Sequence, residues 1–62
     1  MLSFNLTLLI FELKRQLSIV KQNKNLFMET YRQGFPLEVK EELSKLDYEI
    51  ESLKLQIQLL EE

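Results

Sequence analysis

Two side chains stand where chemistry could be done, Lys24 and Asp47. Lys24 interrupts an otherwise apolar stripe. A lysine held among apolar neighbours can act as a nucleophile or base if a pocket lowers its pKa, but no pocket is evident in the sequence around it. The plainer reading is a stem packed along the stripe with its ammonium at the rim, near Asp47 or Glu42. A charge at such a position also fixes the register of paired helices, at some cost in stability. Asp47 follows Leu46 and is expected level with Lys21, in a surface ion pair worth little if exposed. Glu38, Glu41, Glu42, Glu49 and Glu51 could draw Mg²⁺, but their spacing spreads them around a helix. A solvated acidic face is expected there, and no metal site. The chain has no His and no Cys. That removes imidazole acid–base work, thiolate chemistry, disulfides and the usual zinc ligands. Two carboxylates on a helix make no glycosidase without a cleft. No catalytic constellation and no cofactor is expected.

The elements that would position these residues are written in the apolar pattern. Val39, Leu43, Leu46, Ile50, Leu53, Ile57 and Leu60 recur at steps of four and three without a break. That is the a/d seam of a helix packed along its length against another helix. A second stripe runs through Leu6, Ile10, Leu13, Leu17, Val20, Lys24, Phe27 and Tyr31 with the same steps. Leu2, Phe4, Leu6, Leu8 and Ile10 also alternate with Ser3, Asn5 and Thr7, as in a strand. Helix is favoured because the stripe continues back into them and a lone strand would have no partner. Ser3 or Asn5 is expected to supply the N-cap, with fraying of the first residues.

The single Gly and single Pro of the chain lie near its middle. Gly34 suits the left-handed position after a helix, Arg32 suits the negative end of the helix dipole, and Pro36 suits the first position of a second helix. A break this short implies an antiparallel hairpin. The expected plan is one all-α domain over residues 1–62: a helix over about 4–32, a turn at 33–35 and a helix over about 36–61. The two stripes agree with it, because their members pair symmetrically about Phe35: Tyr31 with Val39, Phe27 with Leu43, Lys24 with Leu46, Val20 with Ile50, Leu17 with Leu53, Leu13 with Ile57, and Ile10 with Leu60.

One seam is a small core for 62 residues, and chains of this size usually need a staple or a partner. Phe4, Leu8 and Phe11 on the first helix and Tyr48, Leu55 and Leu59 on the second lie off the seam. They are expected to form the contact of a homodimer that closes into a four-helix bundle. Hydrophobic residues at 45% and charged residues at 29% read as a folded helical chain. The N-terminus lacks the basic region and cleavage site of a secretory signal, and no apolar run approaches the roughly 20 residues of a spanning helix. A cytoplasmic protein without a membrane partner is expected.

Charge divides by helix. Residues 1–35 carry net +3 and residues 36–62 net −5, within a whole-chain charge of −2. Opposite helices therefore attract, and the hairpin is the preferred pairing. A basic helix could also face an acidic or phosphorylated partner, or the phosphates of an RNA. The overall negative charge argues against nucleic acid.

A Gly-Phe turn followed by Val39, then Leu46-Asp47 and Ile50, between two helices of a short chain, resembles the sporulation aspartyl-phosphate phosphatases of bacilli. Residues 34–50 carry the resemblance. That family has a helical hairpin with a Ser-Gln-Glu-Leu-Asp motif on its second helix. Here the stretch reads Leu43-Ser44-Lys45-Leu46-Asp47. Leu46 and Asp47 match, Ser44 is displaced by one residue, and the Gln and Glu are missing. The resemblance implies removal of phosphate from an aspartate of a response regulator, with Asp47 as the one residue carried over. The repressor-of-primer type of dimeric hairpin is similar in size and plan without a shared motif. The primary expectation is a small regulatory protein–protein interaction module acting as a dimeric helical hairpin. The phosphatase and an RNA-binding hairpin are the alternatives.

Overall fold

A computed structural model describes the backbone of residues 2–62 and the side chains of residues 5–62. Among the described residues there are two helices and no strand: α1, Leu2–Thr30, and α2, Leu37–Glu61. They form a helical hairpin, a rod of 49 × 15 × 14 Å. Its length is set by α1, since 29 residues rising about 1.5 Å each span roughly 43 Å. The alternating stretch at the N-terminus is helical, as the backward continuation of the stripe required.

Burial follows the two stripes. Leu13, Val39, Ile50, Leu53 and Ile57 are the buried side chains. Ile10, Leu17, Val20, Lys24, Phe27, Tyr31, Leu43, Leu46 and Leu60 are half-buried, and nearly every residue off the stripes is exposed. Leu13, Leu53 and Ile57 form one cluster, with Ile10, Leu17, Val20 and Leu60 packed against it. Leu6 is the exposed stripe residue, at 39%. α2 ends at Glu61, short of any position symmetric with Leu6 about the turn.

The helix ends depart from the sequence expectations in four places. Ser3 and Asn5 do not cap α1; both lie inside it, because the helix already begins at Leu2. Arg32 is not in the last turn of α1, which holds no basic residue and ends at Thr30. There the Thr30 Oγ1 donates to the Leu26 carbonyl at 2.8 Å, and the Phe27 and Tyr31 rings stack with centroids 6.3 Å apart. Gly34 is not left-handed, since its φ is not positive. Its N–H instead donates to the Tyr31 carbonyl at 3.0 Å, a tight turn that satisfies an end-of-helix carbonyl without a left-handed residue. Pro36 caps α2 and does not begin it: φ −56° suits a helix, but ψ 156° is extended. Its carbonyl accepts the first hydrogen bond of α2, from the Lys40 N–H at 3.0 Å. Glu38 stands in the first turn, where the helix dipole favours an acid.

The turn makes a specific forecast. A Cβ added at Gly34 meets nothing within 4 Å, and φ there is in the range of ordinary residues. Gly34→Ala should therefore stabilise the protein by about 0.4–1 kcal/mol, by reducing the freedom of the unfolded chain. Urea denaturation of the two proteins measures it. A destabilised variant would show that the turn needs glycine after all.

Candidate functional site

Seen end on, the seam has two flanks, and they differ. One flank carries the ion pairs that cross between the helices. Lys14 Nζ lies 2.9 Å from Glu61, and Lys24 pairs with Asp47. Lys21, Lys24, Asp47, Glu51 and Lys54 line one shallow depression there, with Asn25, Met28 and Ile50. Lys54 also approaches Glu51 at 3.6 Å, one turn away on its own helix. Lys14, Lys54 and Glu61 line the next depression along the rod.

Asp47 thus pairs with Lys24 and not with Lys21. Lys24 belongs to the seam, and its half-buried stem carries the ammonium across the interface to the residue beside Leu46. Lys21 is exposed on the flank and lines the same depression. The Lys24 side chain is 32% exposed and that of Asp47 55%, so the pair sits at the wet rim of the seam. The reading of Lys24 as a packed stem with its charge near Asp47 describes this geometry.

Among the described residues no ion pair crosses between the helices on the other flank. Gln16, Ile19, Val20, Tyr48, Ser52, Leu53 and Gln56 line a groove there, and Glu49 is its one charged side chain. The Gln56 Nε2 donates to the Ser52 Oγ at 3.3 Å. Ser52 is half-buried.

Along α1, Arg15 grips Glu12 with two hydrogen bonds, Nη2 to Oε1 at 3.0 Å and Nε to Oε2 at 3.3 Å. Those bonds hold the Glu12 carboxyl below its usual range, the hydrogen bond from Arg15 being the main cause. They hold the Arg15 guanidinium above its own, through the bond to Glu12. The pair is at the surface, so it is a local brace on one helix.

The off-seam residues expected at a dimer contact divide between these flanks. Phe4 lies outside the residues whose side chains are described. Leu8, Phe11, Tyr48, Leu55 and Leu59 are all exposed. Tyr48 lines the groove of the flank without crossing ion pairs. Phe11 lies on the ion-paired side, beside Thr7, Ile10, Lys14 and Glu61. Five exposed apolar residues escaped the sequence reading: Leu9, Ile19, Leu26, Met28 and Leu37. The seven-residue spacing of Ile19 and Leu26 puts those two on one line of α1 and was the available signal. The acids Glu38, Glu41, Glu42, Glu49 and Glu51 are exposed. Among the described residues no three acidic, His or Cys side chains gather as a metal ion requires. No helix there is long and apolar enough to cross a membrane. No protein-family model, no curated protein and no solved structure matches the chain.

The geometry at Lys24 predicts the outcome of a double-mutant cycle. Asp47→Ala should cost about 1 kcal/mol or less, because Asp47 is more than half in water. Lys24→Leu should raise stability despite losing the pair, since it completes the apolar seam and leaves Asp47 hydrated. Thermal and urea unfolding of the single and double variants measure both. A strongly destabilised Lys24→Leu would mean that the pair holds the hairpin together.

Proposed function

We propose that this chain is a small regulatory protein-binding module that acts in the cytoplasm as a dimer of antiparallel helical hairpins, closed into a four-helix bundle. The antiparallel run is supported by the crossing ion pairs, since Lys14 meets Glu61 far from the turn and Lys24 meets Asp47 nearer to it. The cluster of Leu13 with Leu53 and Ile57 supports the same register. The observation that carries the dimer is the surface. The chain exposes 5227 Å², whereas a compact protein of 7.5 kDa exposes about 4,200 Å². The excess, about 1,000 Å², matches the share of roughly 800 Å² that one partner contributes to a stable interface. Much of the exposed area is apolar, with Leu8, Phe11, Tyr48, Leu55 and Leu59 each more than half exposed.

Sedimentation equilibrium tests this reading. The wild type should have the mass of a dimer, with a thermal midpoint that rises with concentration. Leu55→Glu should weaken association while helix content at high concentration is kept, because Leu55 points away from the seam. A wild type that stays monomeric at high concentration would sink the dimer.

A second reading rests on Asp47. Its carboxylate is exposed and stands with Lys21, Lys24 and Lys54 around one depression, a setting able to receive a phosphoryl group. With the resemblance to the sporulation phosphatases, this supports hydrolysis of an aspartyl-phosphate on a response regulator. Incubation with a phosphorylated response regulator should then release phosphate, and Asp47→Ala should abolish release without altering circular dichroism. Equal activity in the variant would remove Asp47 from the mechanism.

A further inference from the structure

We propose that a second copy of this chain docks on the grooved flank of the hairpin, the side of Ile19, Leu26, Tyr48 and Leu59, and leaves the ion-paired flank facing outward. The proposal rests on the dimer reading and names the face that makes it.

The two flanks offer opposite terms to a partner. Covering the ion-paired flank would take Lys14, Lys21, Lys54, Glu51 and Glu61 out of water together. Each charge so buried costs several kcal/mol unless a partner charge meets it with good geometry. Covering the groove of the other flank meets one charged lining residue, Glu49, while Glu12, Glu42 and Lys45, seven residues before Ile19, Glu49 and Ser52, continue its walls beyond the groove. The polar pair of the groove, Gln56 and Ser52, share one hydrogen bond, and the remaining groups of these two and of Gln16 are neutral amides and a hydroxyl that a partner's polar side chains can meet.

The grooved flank also continues along the rod. Leu59 follows Ser52 of the groove by seven residues, Leu26 follows Ile19 by seven, and Leu9 precedes Gln16 by seven. Two helical turns return nearly to the same line, so Leu9 and Leu59 extend the groove wall, and Leu26 lies at its outer edge, in a depression shared with Gln22, Asn25 and Glu29. Leu9, Ile19, Leu26, Tyr48 and Leu59 are all exposed. On the opposite flank Met28 lines the depression of Lys21, Lys24 and Lys54, Phe11 lies beside Lys14, and Leu37 stands on the line of Glu51, fourteen residues before it. A second copy is the occupant that fits. The excess surface is close to one partner's share of a stable interface, and in a closed two-fold pair a self-complementary face meets itself.

The test sets substitutions on the two flanks against each other. Ile19→Glu and Leu26→Glu should each weaken the dimer dissociation constant about tenfold or more, because every dimer carries the change twice. Phe11→Glu should leave it within about threefold. Sedimentation equilibrium reads all three beside the wild type, with circular dichroism at high concentration to confirm the helices. If a glutamate variant loses helix, Ile19→Gln or Leu26→Gln is read in its place. A dimeric wild type broken by Phe11→Glu, or unmoved by both Ile19 and Leu26 variants, overturns the choice of face and leaves the dimer standing. A monomeric wild type overturns the dimer and the face together.

Discussion

The seam between α1 and α2 carries the burial of this protein, and it is open on both sides. Leu13, Val39, Ile50, Leu53 and Ile57 retain only 7–9% of their surface. Yet no described side chain is wholly enclosed. Two cylinders touch along a line, so each seam residue has a neighbour in front and solvent to left and right. A third and a fourth helix are what close such flanks in bundles. The geometry of two helices alone therefore explains both the clean division of burial along the stripes and the large surface left over.

Lys24 shows how the seam and the charges are coupled. It occupies a seam position, so its stem is packed, and its charge leaves on the flank that carries Asp47. The Lys14–Glu61 pair lies on the same side further from the turn. Both ion pairs that cross between the helices therefore lie on one flank of the rod. The groove of the other flank is lined by Gln16, Ile19, Tyr48, Ser52 and Gln56, with Glu49 its one charged residue.

The turn illustrates a different economy. Its hydrogen bonds come from the backbone: Tyr31 N–H to the Phe27 carbonyl, Gly34 N–H to the Tyr31 carbonyl and Lys40 N–H to the Pro36 carbonyl. Pro36 offers no side-chain cap, but its ring fixes φ at a value from which a helix can start. With Glu38 in the first turn, α2 begins without a polar N-cap side chain.

The sequence by itself determined the two helices, the break between them and the residues of the seam. The steps of four and three are a direct imprint of 3.6 residues per turn, and every stripe residue from Ile10 to Leu60 is buried or half-buried. Leu8, Phe11, Tyr48, Leu55 and Leu59 were legible as lying off the seam for the same reason. Only the tertiary structure decided which of them share a side. Helical periodicity gives an angle around each axis, but the flank of one helix that meets a given flank of the other depends on how the two pack. So Phe11 and Tyr48, both off the seam, fall on opposite flanks, and Asp47 is claimed by the seam residue Lys24 and not by Lys21. The backbone of the turn was undetermined for a related reason. Glycine permits a left-handed conformation without requiring one, and proline suits both the cap and the first helical position. The local backbone bonds, Gly34 N–H to the Tyr31 carbonyl and Lys40 N–H to the Pro36 carbonyl, mark the choice that was made.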